Sequence, residues 1–241
     1  MGTHYPMEMN AKQAIFSVLA IGLIVVLPHM GLIPLFGYSL PILLVVWLAL
    51  KYSKETFSDI GFRFKDFPVK ALVIGPVFAA VTLVFMQWVF FPILEPLVPW
   101  EYDDNGLTET LQESPIQLAM MILFAWLIGG FYEEWVFHGF MLTRLEKFFN
   151  SATSNEHQSS DTSIETSHPN KWATILAFVL TAILFGFYHI QLGMLGVINA
   201  LLVGMMYAGL FLYFKRNLWY SIIAHGSYNT MVMVLIYFGY L

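Results

Sequence analysis

Seven apolar stretches recur along this chain, and most are about as long as a helix must be to cross the hydrocarbon core of a bilayer, roughly 20 residues. They cover residues 13–33, 38–50, 70–94, 115–141, 172–190, 194–214 and 218–240. In lipid every backbone N–H and C=O must find its partner inside the protein, and a helix does this within each segment. The pattern therefore predicts an all-α, polytopic membrane bundle of about seven transmembrane helices. The stretch 38–50 is the shortest, with Pro41 near its start. Composition supports the same class. Only 11% of residues are charged and 58% are hydrophobic, whereas a soluble domain carries about 25% charged residues.

Charge fixes an orientation. With the N-terminus inside and seven crossings, the inner segments are 1–12, 51–70, 142–171 and 215–217. They hold Lys12, Lys51, Lys54, Arg63, Lys65, Lys70, Arg144, Lys147, Lys171, Lys215 and Arg216, which is every Lys and Arg in the chain. The outer stretch 95–114 instead carries Glu95, Glu101, Asp103, Asp104, Glu109 and Glu113. The positive-inside rule then places the N-terminus in the cytoplasm and the C-terminus outside, with the cell membrane as the expected location. Dropping the second span would scramble this partition. The N-terminal stretch is too long for a signal-peptide core and lacks a small-residue cleavage site, so it reads as a retained helix.

The chain reads as one integral membrane domain over 1–241. Residues 1–114 form a three-helix part and 115–241 a core that holds the polar motifs. The segment 150–170 is rich in Ser, Thr and Asn and is expected to be a mobile loop. Absent cysteine excludes disulfides and thiolate metal sites. The basic residues form no patch suited to nucleic acid. Ala200, Gly204 and Ala208 recur every four positions, a stripe that lets a neighbouring helix approach closely. No internal repeat supports an inverted-repeat transporter.

Ionisable groups inside spans are costly unless they face a cavity or a partner, so each is a functional candidate. Here they are Glu133, Glu134 and His138 in one span, His189 in another, His225 with Asn229 in the last, and His29 near the end of the first. Glu134 and His138 are four apart, as are Phe185 and His189, and His225 and Asn229, so each pair shares a helix face. At 1.5 Å per residue, Glu133 lies roughly 16 Å above Arg144, and His225 and Asn229 lie roughly 14 and 20 Å above Arg216. His189 comes out too high, roughly 27 Å above Lys171, unless its helix begins below the others or is tilted. His157 and His168 fall in the polar segment and read as solvated.

Amide hydrolysis needs an activated water, a proton carrier and donors for the tetrahedral oxyanion. A partly desolvated glutamate can be the base, a histidine can hold the water, and a second histidine with an asparagine can serve the oxyanion. Glu133, His189 and His225 could equally be zinc ligands with an open position for water, and the residues alone leave both schemes open. Two rivals also stay open: a catalytically silent scaffold or immunity protein of the same fold, and a transporter.

The run Glu133-Glu134, then Phe185-x-x-x-His189, then His225-x-x-x-Asn229 resembles the CAAX protease and bacteriocin-processing family, polytopic intramembrane endopeptidases that include the CAAX prenyl endopeptidase. The resemblance covers about residues 115–241 and includes the stretch leading into the last motif, NALLVGMMYAGLFLYFKRNLWYSIIAH. It implies Glu133 as catalytic base, His189 holding the water, and His225 with Asn229 stabilising the oxyanion or completing a Zn2+ site, with Glu134 in support. It implies a membrane-embedded or lipidated protein or peptide as substrate. One position departs: the family's first motif continues EExxxR, and here that position is His138, which gives up a permanent charge and a bidentate fork.

Overall fold

The computed structural model describes residues 9–32, 35–100, 106–154 and 170–241, and among these every regular element is helical. Helix α1 (Ala11–Val26) runs on through a 3-10 turn, Leu27–Met30, and α2 spans Ser39–Tyr52. Helix α3 (Ala71–Phe85) continues through a π turn, Met86–Phe90, into Phe91–Leu94. A short α4 (Leu107–Glu113) precedes α5 (Pro115–Phe124). Helix α5 then passes without a break through a π-helical segment, Ala125–Met141, into α6 (Leu142–Ser154). Helices α7 (Lys171–Tyr188), α8 (Gly193–Tyr213) and α9 (Leu218–Tyr237) complete the bundle.

The helix starts have local causes. Asn10 and Gln13 form a capping box at α1, and Ser114 accepts from the Gln117 N–H with Pro115 at the first helical position of α5. Asn170 and Asn217 cap α7 and α9 through the Trp172 and Trp219 N–H groups. Each side chain satisfies an amide that the helix itself leaves unpaired. Between α7 and α8 the chain turns at Gly193, where φ is +72°, a conformation a Cβ would disfavour.

Burial is inverted relative to a soluble protein. Large apolar side chains such as Ile15, Leu19, Val73, Val77, Val81, Leu123 and Leu176 are exposed around the bundle, while Glu134, His138, Arg144 and Lys147 are buried. Among the described residues, five helical stretches are long and apolar enough to cross a membrane: Ala11–Met30, Ala71–Leu97, Pro115–Ala152, Lys171–Tyr188 and Ile190–Tyr213. The chain is a multi-pass integral membrane protein. The seven-span reading differs at two places. Helix α2 has only 14 residues. Helix α9 has the length, but Ser221, His225, Ser227 and Asn229 dilute its apolar character, and it is buried from Leu218 to Tyr228. Its neighbours, rather than lipid, meet that face.

The expected loop at 150–170 begins later than the composition suggested. Helix α6 continues to Ser154, and Asn170 already caps α7. The remainder of that segment, with His157 and His168, and also Glu101, Asp103 and Asp104 of the acidic stretch, lie outside the described residues.

One end of the bundle is tied together by charge. Glu55 takes Lys147 Nζ at 2.6 Å on one oxygen and Arg144 Nη2 at 2.7 Å on the other, while Glu146 takes Arg216 at 2.7 Å and Thr174 at 2.5 Å. The Glu146–Thr174 contact resolves the depth mismatch. It sets α7 lower than Lys171 alone suggested, so that Glu133 lies thirteen residues from Glu146 and His189 fifteen from Thr174. The two side chains therefore reach one level. The small-residue stripe packs as expected: a Cβ on Gly204 would sit 2.6 Å from the Phe185 ring. That close approach presses α8 against α7, which carries His189.

Candidate active site

Glu133, Glu134 and His138 all lie on the π segment, where the Leu142 N–H donates to Phe137 O, five residues back. Such geometry is uncommon and concentrates at functional sites. It directs the two adjacent glutamates to opposite edges of one imidazole from α9. Glu134 Oε1 is 2.9 Å from His225 Nδ1, and Glu133 Oε2 is 3.8 Å from His225 Nε2. Glu134 uses its other oxygen on His138 Nδ1, at 2.7 Å. From α7, His189 Nε2 approaches Glu133 Oε1 to 3.8 Å. The five side chains form one continuous line: His138, Glu134, His225, Glu133, His189.

Hydrogen bonding assigns protons along that line. His189 Nδ1 is 2.9 Å from the Phe185 carbonyl, which can only accept, so Nδ1 carries the proton and a neutral His189 presents a lone pair at Nε2. His225 Nδ1 likewise donates to the Glu134 carboxylate. His138 Nδ1 donates to the same carboxylate, while its Nε2 is buried without a partner among the described residues. An unpaired lone pair there costs less than an unpaired N–H, so the neutral ring with hydrogen on Nδ1 is the fitting form.

Glu133, His189 and His225 line a cavity of about 560 Å³. Its lining also includes Gly129, Asn199 and Asn229, together with the half-buried Thr108 and the exposed Glu95 and Leu241. Every residue read from the sequence as catalytic, Glu133, His189, His225 and Asn229, lines this one cavity. Glu134 and His138 do not line it; both are fully buried behind it. His29 packs edge-on against Tyr188 at 6.3 Å and takes no part.

Three contributors escaped the sequence reading. Tyr207 stacks on His225 with ring centroids 4.8 Å apart and planes 28° apart, fixing the ring from its face. Its position, three residues beyond Gly204, was a usable signal. Asn199 lies on the cavity wall with its buried Oδ1 unpartnered among the described residues, and a polar residue mid-span should have marked it. Gly129 leaves the space Asn229 fills, since a Cβ there would come within 2.5 Å of Asn229 Nδ2. That role is invisible without coordinates.

The zinc set fares differently. Among the described residues no group of three His, Cys, Asp or Glu side chains is arranged to hold a metal ion. Donors about 2.0–2.1 Å from a tetrahedral zinc would stand about 3.4 Å apart. Here the two histidines address different oxygens of Glu133, each at 3.8 Å. As arranged, Glu133, His189 and His225 do not form a zinc cradle.

Residues 115–231 match the family model described as type II CAAX prenyl endopeptidase Rce1-like. This segment is Rce1-like. The match spans the π segment, α7, α8 and most of α9, and so contains every residue of the line from His138 to His189. The Rce1-like family is a protease family, which supports a peptidase. No curated protein and no solved structure was found to match the chain. The place where the sequence departs from the family's EExxxR pattern is where His138 contacts Glu134 in the Rce1-like segment.

Proposed function

We propose that this protein is an intramembrane endopeptidase that hydrolyses a peptide bond of a membrane-embedded or lipidated protein or peptide in the cell membrane, with a seven-span, N-terminus-inside topology. The observation that carries this reading is the Glu133 carboxylate lying 3.8 Å from Nε2 of both His189 and His225 in the cavity lining. A water bound there gives one proton to Glu133, while the His189 lone pair holds its other hydrogen. The water oxygen bonds to the scissile carbonyl carbon. A second proton on His225 Nε2, balanced by Glu134, and the Asn229 amide then serve the oxyanion; one such donor is worth about 10²–10³-fold. As the C–N bond breaks, Glu133 returns its proton to the leaving nitrogen. The scissile segment must be extended, because a helix hides its carbonyls in its own hydrogen bonds.

The test is cleavage of a membrane-presented peptide library by purified protein, wild type beside Glu133→Gln, with and without a zinc chelator. Cleavage by the wild type that vanishes in the variant and survives the chelator is the expected result. Cleavage lost to the chelator would restore the metal scheme. No cleavage by folded wild-type protein would favour the scaffold reading.

A further inference from the structure

Asn199 is the one polar side chain that α8 gives to the cavity lining, and the hydrolysis described above makes no use of it. It sits inside the apolar stretch Ile190–Tyr213, where a polar group is ordinarily held by a partner on another helix. Its Oδ1 is buried and has no hydrogen-bond partner among the described residues, so that atom does not tie α8 to a neighbour. Asn199 nonetheless lines the cavity, and the end of its carboxamide that meets the cavity is therefore the NH2. Turning the amide over would leave an N–H unpaired in the wall, which proteins tolerate less well than an under-used oxygen. Helix packing sets this group close to the reacting ones. A Cβ on Gly186 of α7 would stand 3.0 Å from Val197 O and 3.0 Å from Leu201 Cβ. Asn199 lies midway between those two residues, level with Gly186, and three residues further along α7, about 4.5 Å, bring in His189. Gly196 and Ala200 line the cavity beside Asn199, and residues this small let another main chain come close. Leu195 and Val203 complete that wall, which offers no charge to a passing side chain.

We propose that Asn199 is a substrate-binding residue whose side-chain NH2 donates to a main-chain carbonyl of an extended peptide; the word substrate rests on the peptidase reading above. At about 3.3 Å per residue of extended chain, that carbonyl lies within about two residues of the bond that Glu133 serves. A site of this kind reads the backbone, and the wall around it reads the side chains. The substrate class is thus a segment with free main-chain carbonyls and apolar side chains next to the scissile bond.

The probe is a fluorescein-labelled peptide of valine and alanine with one acyl chain, kept extended by its β-branched residues. Its binding to full-length Glu133→Gln protein in nanodiscs is read by anisotropy, without turnover, beside the same protein carrying Asn199→Leu or Asn199→Ala. Both added substitutions are expected to weaken binding by about three- to tenfold, the net worth of one hydrogen bond. Each backbone C=O of the peptide is then replaced in turn by C=S, a weaker acceptor. One position is expected to weaken binding to the protein that retains Asn199 and to lose that effect in both variants. Equal affinity with and without Asn199, or no measurable affinity for any of the proteins, would overturn the proposal. So would a loss in the variants that no thioamide position reproduces, since altered packing would then be its cause. Binding needs no cleavage, so an Asn199-dependent affinity in a protein that cuts no peptide would defeat the peptidase reading and leave Asn199 as a peptide-binding residue.

Discussion

Replacing Glu134 with glutamine should cut kcat by about 10²–10⁴-fold while leaving KM within a few-fold, although Glu134 touches neither the cavity nor a substrate. The carboxylate accepts from two imidazoles at once, His138 at 2.7 Å and His225 at 2.9 Å. An amide has one accepting oxygen and one donating nitrogen, so one ring must change tautomer. If the oxygen faced His225, the amide would donate to His138 Nδ1 and force its proton onto Nε2. That atom has no partner among the described residues, and a buried unpaired donor costs about 1–3 kcal/mol. The amide therefore turns the other way, keeps His138 unchanged, and donates to His225 Nδ1. His225 then loses both its counter-ion and its protonated Nδ1. Where a buried carboxylate holds a catalytic histidine, the amide substitution costs up to about 10⁴-fold, or about 5.4 kcal/mol at 1.36 per tenfold. The assay is steady-state cleavage of a quenched peptide in proteoliposomes. The same argument predicts that adding His138→Phe to Glu134→Gln recovers part of the loss, because the amide is then free to present its oxygen to His225. A Glu134→Gln protein with more than about a tenth of wild-type kcat, or a double variant worse than the single, would refute the reasoning.

Three further outcomes follow from contacts elsewhere in the bundle. Gly129→Ala puts a methyl 2.5 Å from Asn229 Nδ2 and 3.3 Å from His225 Nε2; a shift near 1 Å there should cost about 10²-fold in kcat, measured in the same assay, with the fold retained. Tyr207→Phe keeps the stacked ring on His225 and should retain most activity, whereas Tyr207→Leu removes it and should lower kcat by about fivefold, the equivalent of about 1 kcal/mol for an aromatic pair; equal activity of the two variants would count against a positioning role. Glu55→Ala removes the carboxylate that pairs with the buried Arg144 and Lys147, and breaking such a buried pair should cost about 3–5 kcal/mol and lower the thermal midpoint in detergent clearly. An unchanged midpoint would show that the clasp is not structural.

Particular residues show what could be read in advance. Glu134 with His138, and Phe185 with His189, were paired correctly by four-residue spacing, because within one helix sequence distance fixes spatial distance. His189 looked too high because its depth was counted from Lys171; the true reference, Glu146 against Thr174, joins residues 28 apart. The short α2 already stood out in sequence as the shortest stretch, with Pro41 near its start, whereas α9 reads as an ordinary span and yet is shielded by its neighbours over its first half.

The sequence by itself determined the class of this protein: long apolar runs force backbone satisfaction within helices, and the placement of eleven basic residues divides its two ends. It also determined which polar residues needed explaining, since lipid tolerates so few. Only the tertiary structure decided how those residues meet. That Glu133 and Glu134 address opposite edges of His225, that Tyr207 covers its face, and that Gly129 leaves room for Asn229 are all contacts between different helices. Such contacts depend on helix rotation and depth, which close packing sets to within fractions of an ångström and which no local pattern encodes.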